Sequence, residues 1–294
     1  MRMLTSVTDM RAASAEARRE GRRIGFVPTM GYLHEGHLSL VREARARCDA
    51  VVMSIFVNPL QFAPTEDLDA YPRDPVGDRA LAEQSGVDVL WMPAVEEMYA
   101  SPPAVTVAPG AVGSILEGAA RPTHFAGVLT IVLKLFNVVQ PHVAVFGRKD
   151  AQQAALVAFM IRDLDVPVEL IVAPTVRDAD GLALSSRNVY LDAAMRAQAL
   201  ALPRALAAGV AAFRTGERRA GQVIAATWAA LDGAPGVMTE YINVVDPDSF
   251  LPSHAATPRS ILAAAVRVGS KRLIDNVVLG EGLETDPVRT AHGR

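Results

Sequence analysis

The 294-residue sequence predicts an α/β protein, with a doubly wound parallel sheet followed by a smaller α+β domain. Three observations predict it. Short runs rich in Val and Ile, without polar alternation, recur through the first part of the chain, as in strands buried on both faces of a parallel sheet. Helical stretches of about 10 to 15 residues separate them, which gives repeated strand–helix–strand units. After about residue 175 the texture changes to Ala-rich helices and a hairpin, so the domains are expected at 1–175 and 176–294.

In order, residues 8–20 read as a helix on their Ala, Arg and Glu content, stopped by Gly21. Ile24 to Pro28 is the first apolar run, followed by 50–57, 87–92, 143–146 and 168–172. Helices are expected over 36–47, 75–85, 126–139 and 150–163. In the second domain, 193–213 and 217–231 read as helices and 241–245 as a strand. Residues 261–268 and 273–279 flank Gly269-Ser270-Lys271 as a hairpin. The tail 280–294 has few apolar residues and is expected to be loose at its end.

Composition narrows the class. With 50% hydrophobic and 21% charged residues the chain has material for a large core and does not read as disordered. Basic residues number 29 against 32 acidic, a formal net charge of -3, so nothing points to nucleic acid or an anionic membrane as partner. Arg18, Arg19, Arg22 and Arg23, broken by Glu20, read as a solvated helix end. A single cysteine, Cys48, permits no internal disulfide and no cysteine-built metal site, and a reducing, cytoplasmic location is the expectation. Residues 1–23 do not read as a signal peptide, and no stretch reaches the 18 or so apolar residues that span a bilayer.

In open parallel sheets ligands bind beyond the carboxyl ends of the strands, so the loops after those ends carry the chemistry. After the first strand comes Pro28-Thr29-Met30-Gly31-Tyr32-Leu33-His34-Glu35-Gly36-His37. His34 and His37 share one face of a first helical turn, and with the backbone N–H groups there they form a receptor for phosphate oxygens. A helix cap with two solvent-facing histidines is the plain alternative, and zinc a weaker one for want of a third ligand. The second loop, Ser54 to Phe62, offers Asn58 and Gln61 as neutral partners for hydroxyl and carboxylate groups, though ordinary turn chemistry around Asn-Pro is as good a reading. Gly147-Arg148-Lys149-Asp150 again joins a strand to a helix: Gly147 allows close approach, Lys149 brings positive charge, and Asp150 suits a cap or a metal ion. The alternative is surface charge and a cap. Leu184-Ser185-Ser186-Arg187 is a second phosphate clamp beside Gly181, whose loop could let it move, although Ser-Ser-Arg alone is common on surfaces. Walker and Gly-x-Gly-x-x-Gly patterns are absent, which disfavours P-loop hydrolysis and dinucleotide redox chemistry.

These residues together resemble the pantoate–β-alanine ligase family of the nucleotidylyltransferase superfamily. The resemblance runs through Val27 to Leu40, Ser54 to Phe62, Tyr71 to Asp74, Arg121 to Asn137, Val145 to Gln153 and Ala173 to Leu191. It implies a Rossmann-like core, a C-terminal domain acting as a lid, a homodimer formed through the larger domain, and magnesium accompanying ATP. It implies a two-step reaction: pantoate attacks the α-phosphorus of ATP to give pantoyl adenylate and pyrophosphate, then β-alanine displaces AMP. It further implies ATP contacts at Met30, Gly31, Tyr32, Leu33, His34, Glu35, Gly36 and His37, and at Gly147, Arg148, Lys149, Asp150, Val176, Leu184, Ser185, Ser186 and Arg187. By the same resemblance His37 is the proton donor, His34 and Lys149 join it in catalysis, and Gln61 and Gln153 bind pantoate, Gln61 also lying near β-alanine. The metal ligands and the roles of Arg121 and His124 do not follow from it. Cys48, assigned to the helix after the first strand, is read as a core or surface residue. A related adenylyltransferase shares the His loop without explaining Gln61 and Gln153, and a non-catalytic nucleotide sensor has no need of His34, His37, Lys149 and Arg187 together.

Overall fold

The structure, a computed structural model, describes residues 1–63, 66 and 68–289. The chain forms two compact units: Met1–Gly147 with Gln152–Ala173, and Arg148–Ala151 with residues 174–289.

The first unit is a six-stranded parallel sheet. Its elements are β1 (Arg2–Leu4), α1 (Val7–Arg19), β2 (Ile24–Thr29), α2 (Glu35–Arg45), β3 (Ala50–Ile55), α3 (Pro75–Gln84), β4 (Val89–Trp91), two single-turn helices α4 (Val95–Met98) and α5 (Glu117–Ala120), α6 (His124–Val139), β5 (Val143–Gly147), α7 (Ala151–Asp163) and β6 (Glu169–Ala173). The strand order is β1-β4-β3-β2-β5-β6, which reverses direction between β2 and β5. That reversal is where open α/β sheets bind ligands, at the carboxyl ends of the strands. The two central strands pair only at Gly25–Val143 and Phe26–Ala144. Pro28, two residues on, has no N–H to give a ladder.

Strands β2 to β5 are buried on both faces, with Phe26, Val27, Met53, Leu90, Val143 and Val145 at 0% exposure. The same expectation fails for β6, where Glu169 and Val172 are exposed. Lying at the sheet edge, β6 has a neighbour on one side only. Strand β1, too short to read from sequence, closes the other edge against β4. Helix α1 is capped by Ser6, whose hydroxyl accepts from the Asp9 N–H, and buries Met10, Ala13, Ser14 and Ala17 along one stripe. Cys48 lies beyond the end of α2 rather than inside a helix, buried against β2: a Cβ added to Gly25 would sit 3.2 Å from its sulfur. Burial raises its thiol pKa.

The second unit holds α8 (Ala193–Ala199), α9 (Ala201–Arg214), α10 (Ala220–Leu231) and an antiparallel sheet β7-β8-β9 (Val237–Val245, Ile261–Val268, Lys271–Val278). The stretch 193–213 is two helices rather than one. Pro203 cannot donate to the Ala199 carbonyl, and the first helix ends there. Strands β8 and β9 form the expected hairpin, β9 starting at Lys271, while β7 begins earlier than expected and carries an irregularity between Thr239 and Tyr241. Val288 bridges to Arg177, so the tail pairs that far along; its last residues, expected to be loose, lie outside the described ones. No helix among the described residues is long and apolar enough to cross a membrane.

Candidate functional site

Strand β2 delivers the chain into Met30–Leu33, a loop in unusual backbone: Gly31 has φ +86° and Tyr32, without a glycine's freedom, φ +51°. What holds it is Asp78 of α3, 2% exposed, whose carboxylate accepts the Tyr32 N–H at 2.8 Å and the Leu33 N–H at 2.7 Å. Room for this is made by Gly31, where a Cβ would stand 2.9 Å from Asp78 Oδ2. Leu33 is at 0% exposure, its side chain packed into the core beneath the loop.

The two histidines open α2 as a reciprocal cap. His34 Nδ1 accepts from the Gly36 N–H at 3.1 Å, and His37 Nδ1 accepts from the His34 N–H at 3.3 Å, with ring centroids 4.1 Å apart. An Nδ1 that accepts a backbone N–H carries no proton, so the neutral rings carry theirs on Nε2. The plain reading of these residues as a cap is therefore correct as far as Nδ1 goes, but both rings are half-buried rather than solvent-facing. Cap and phosphate receptor are compatible, since each uses a different nitrogen. Glu35 is buried at 8% and paired with Arg42, so its carboxylate already has a cationic partner.

The loop after β3 is brought against this one. Gln61 Nε2 approaches Met30 Sδ at 2.9 Å, and Gln61 Oε1 accepts from Asn58 Nδ2 at 3.3 Å. Asn58, 1% exposed, is otherwise consumed by the fold: it donates to the Gly127 carbonyl at 3.0 Å and its Oδ1 accepts from the Tyr99 hydroxyl at 3.0 Å. It also caps the 3-10 turn Pro59–Gln61. On α7, Gln152 and Gln153 divide. Gln152 is 4% exposed and ties Glu117, Val112 and Ile115, whereas the half-buried Gln153 amide has no such partner among the described residues.

In the second unit, Arg148–Asp150 forms a 3-10 turn. Arg148 is engaged by Glu281 and, at 2.9 Å, by Asp286, so its guanidinium already has anionic partners. Asn276 donates to the carbonyls of both Arg148 and Lys149 at 2.9 Å, which fixes the backbone from which Lys149 extends. Lys149 stands 3.8 Å from Asp150. Beneath lies Arg177, 3% exposed, bidentate on Asp275 at 2.6 and 3.0 Å and bonded to Asp286 at 2.8 Å. Val176 and Leu184 are buried and joined backbone to backbone at 2.9 Å, which puts Ser185 at the start of the turn Ser186–Tyr190 with its hydroxyl accepting the Arg187 N–H. Arg196 holds Asp178 and Asp180 at 2.7 Å each, tying down the turn that contains Gly181.

Asp78, Asn276, Arg177 and Asp286 escaped the sequence reading because each acts on backbone or on another charge. Only Asp78 had a local signal, an acid in the first turn of a helix, and there it reads as a plain cap. Among the described residues no group of three or more His, Cys, Asp and Glu side chains could hold a metal ion.

Comparison with known proteins bears on this arrangement. The family model described as pantoate-beta-alanine ligase matches residues 2–278. The pantothenate synthetase of Moorella thermoacetica is 51% identical over 279 residues, 95% of this chain and 99% of that protein. That of Heliobacterium modesticaldum is 50% identical, with 95% and 99% covered. Among solved structures, pantothenate synthetase from Thermus thermophilus superposes with a TM-score of 0.89 at 45% identity, covering 95% of this chain and 99% of that one. The pantoate-beta-alanine ligase from Francisella tularensis, solved complexed with beta-gamma ATP and beta-alanine, superposes with a TM-score of 0.78 at 30% identity, with 96% and 99% covered. Matched along nearly its whole length by the family model and by relatives of about half identity, the chain belongs to the pantoate–β-alanine ligase family.

Proposed function

We propose that this protein condenses pantoate with β-alanine at the expense of ATP, giving pantothenate, AMP and pyrophosphate through pantoyl adenylate. The observation that carries the reading is the paired histidine cap at the carboxyl end of β2, with both Nδ1 atoms accepting backbone N–H groups and the proton of each neutral ring therefore on Nε2.

The chemistry asks for alignment more than for covalent help. A carboxylate oxygen of pantoate attacks the α-phosphorus, the bond to the bridging oxygen breaks, and pyrophosphate leaves; the amine of β-alanine then attacks the acyl carbon, loses a proton and expels AMP. Both reactants of the first step are anionic, so fixed donors and cations lower the barrier, each by about 3 kcal/mol as preorganised donors do elsewhere. His34 and His37 donate hydrogen bonds from Nε2–H to phosphate oxygens; for His37 to give up a proton, as the resemblance implies, its ring must first be charged, which requires the His34 N–H to release Nδ1. The backbone of Met30, Gly31, Tyr32, Leu33, Glu35 and Gly36 lines the nucleotide, as do Val176 and Leu184. Lys149 offsets the charge developing on the α-phosphate, and Ser185, Ser186 and Arg187 take the departing pyrophosphate. Gly147 and Asp150 contribute backbone and carboxylate, and Arg148 acts through its main chain, since Glu281 and Asp286 hold its guanidinium.

Gln61 and Gln153 bind pantoate. Asn58 is spent on Gly127, Tyr99 and, through a long bond of 3.3 Å, Gln61, so its amide is turned into the protein and not toward substrate. Magnesium would accompany ATP, and the residue here suited to help hold it is Asp150, through its carboxylate. The ion would neutralise phosphate charge. Homodimerisation across the larger unit, suggested by the exposed Val172 on edge strand β6, and residence in the reducing cytoplasm complete the reading.

The test is release of AMP and pyrophosphate from ATP, magnesium and D-pantoate with and without β-alanine. Steady AMP release that needs β-alanine and matches pantothenate formed is expected, with turnover of His37→Ala lower by about 10²- to 10³-fold at unchanged folding. AMP formed equally without β-alanine would refute the ligase reading, and full turnover in His37→Ala would remove that residue from the mechanism.

A further inference from the structure

Gln61 is steered from its main chain. Its side-chain contacts are a long bond from Asn58 and the approach to Met30 sulfur, neither of which sets a direction firmly. Its carbonyl oxygen, by contrast, receives two donors: His124 Nδ1 at 2.9 Å and Arg121 Nη2 at 3.2 Å. A carbonyl only accepts, so His124 carries its proton on Nδ1, and its bare Nε2 takes Arg121 Nη1 at 3.1 Å. Arg121 is itself clamped by Glu66, through Nε at 2.7 Å and Nη2 at 2.6 Å. Burial, and then the neighbouring Arg121 charge, push the His124 pKa down to about 4, which keeps the ring neutral and its Nε2 an acceptor. One turn further along α6, Gly127 lets the helix lie directly on the loop: a Cβ there would fall 2.2 Å from the Leu60 carbonyl oxygen. Satisfying one backbone carbonyl needs one donor; two donors, mutually bonded and clamped by a carboxylate, define where that carbonyl sits.

We infer that Arg121 and His124 are positioning residues for the acceptor side of the reaction, aiming the Gln61 amide at pantoate by fixing the Gln61 carbonyl. The inference rests on the reading of Gln61 as a substrate-binding residue. It predicts a selective effect, because the anchor belongs to the Gln61 turn and not to the histidine loop.

Steady-state kinetics on the full chain test it, with each substrate varied in turn. His124→Ala raises KM for pantoate by roughly tenfold or more while KM for ATP stays within about twofold, in keeping with the sensitivity of bound geometry to small displacements. His124→Asn, whose amide Nδ2–H lies where Nδ1–H was, recovers most of the loss. Arg121→Lys, whose ammonium cannot serve Glu66, His124 and Gln61 at once, shows the same selective rise and decides the matter if His124→Ala does not fold. Gln61→Ala is measured alongside. If Gln61→Ala raises the pantoate KM and the His124 and Arg121 variants do not, the positioning role is overturned alone. Equal losses toward pantoate and ATP, unrescued by His124→Asn, overturn it in favour of a purely structural part. An unchanged pantoate KM in Gln61→Ala overturns the reading of Gln61, and the positioning role with it.

Discussion

Replacing Asp78 by Asn is the sharpest probe of how the histidine loop is held. The carboxylate accepts two consecutive backbone N–H groups, from Tyr32 and Leu33, at a site only 2% exposed. Asparagine matches it in size but can accept only one of them, its amide hydrogens facing the other donor. A hydrogen bond to a charged group contributes about 1.5–3 kcal/mol, and a buried donor left without a partner costs a comparable amount. Tyr32 adds about 1–2 kcal/mol of left-handed backbone strain that these bonds offset. A loss of about 2–4 kcal/mol follows, and at about 2–4 °C per kcal/mol for a chain of this size Tm falls by about 5–15 °C. Because the loop can relax locally before the sheet unfolds, part of the loss should appear as a higher KM for ATP. Thermal unfolding by circular dichroism, paired with ATP-dependent kinetics, measures both parts. Wild-type Tm together with wild-type ATP KM in Asp78→Asn would show that something other than this carboxylate holds the loop.

Two more perturbations follow from the same structure. Arg177→Met leaves Asp275 and Asp286 buried without their shared cation, and about 3–5 kcal/mol should be lost in urea unfolding, part of it returning when Asp275→Asn is added; an unchanged midpoint would mean the ion pairs contribute nothing. Acid should weaken the fold through His124: its folded pKa, about 4, lies below the ordinary 6.5, so its contribution is complete above pH 6.5 and is lost as pH falls from there toward 4, by about 3 kcal/mol at most. His142, whose Nδ1 accepts the Ile24 N–H and whose pKa is lowered by burial and then by Arg18 and Arg23, works in the same direction. Urea unfolding at pH 7 and pH 5 should show a shallower pH dependence in His124→Asn than in wild type, and equal slopes would rule His124 out.

Much of the fold could be read from the chain because burial on both faces leaves a plain mark: β2, β3 and β5 announce themselves as unbroken apolar runs. Strand β1 left no mark, since three residues with two exposed carry no periodicity. The paired helices α8 and α9 read as one because Ala-rich sequence runs across their junction and outweighs Pro203, the one residue there that marks the break. In the loops proposed to form the site, the sequence brings forward residues whose side chains offer unusual chemistry: His34, His37, Gln61 and Lys149. Residues that act at a distance it does not. Asp78 lies 46 positions from Tyr32, and Asp286 lies 109 from Arg177, and no local pattern encodes such pairings. Asn58 is the converse case, since its place beside Gln61 made it look like a ligand for substrate while its bonds all run into the protein.

The lone thiol of Cys48 gives the molecule a built-in clock. Packed 7% exposed against the strand that delivers the histidine loop, with its thiolate form disfavoured by burial, it cannot meet a thiol reagent until that corner of the sheet parts. With no second cysteine to blur the signal, the rate of its modification records how often β2 and the end of α2 come apart. Any ligand that grips the loop beyond Thr29 should slow that clock in proportion to how firmly it holds.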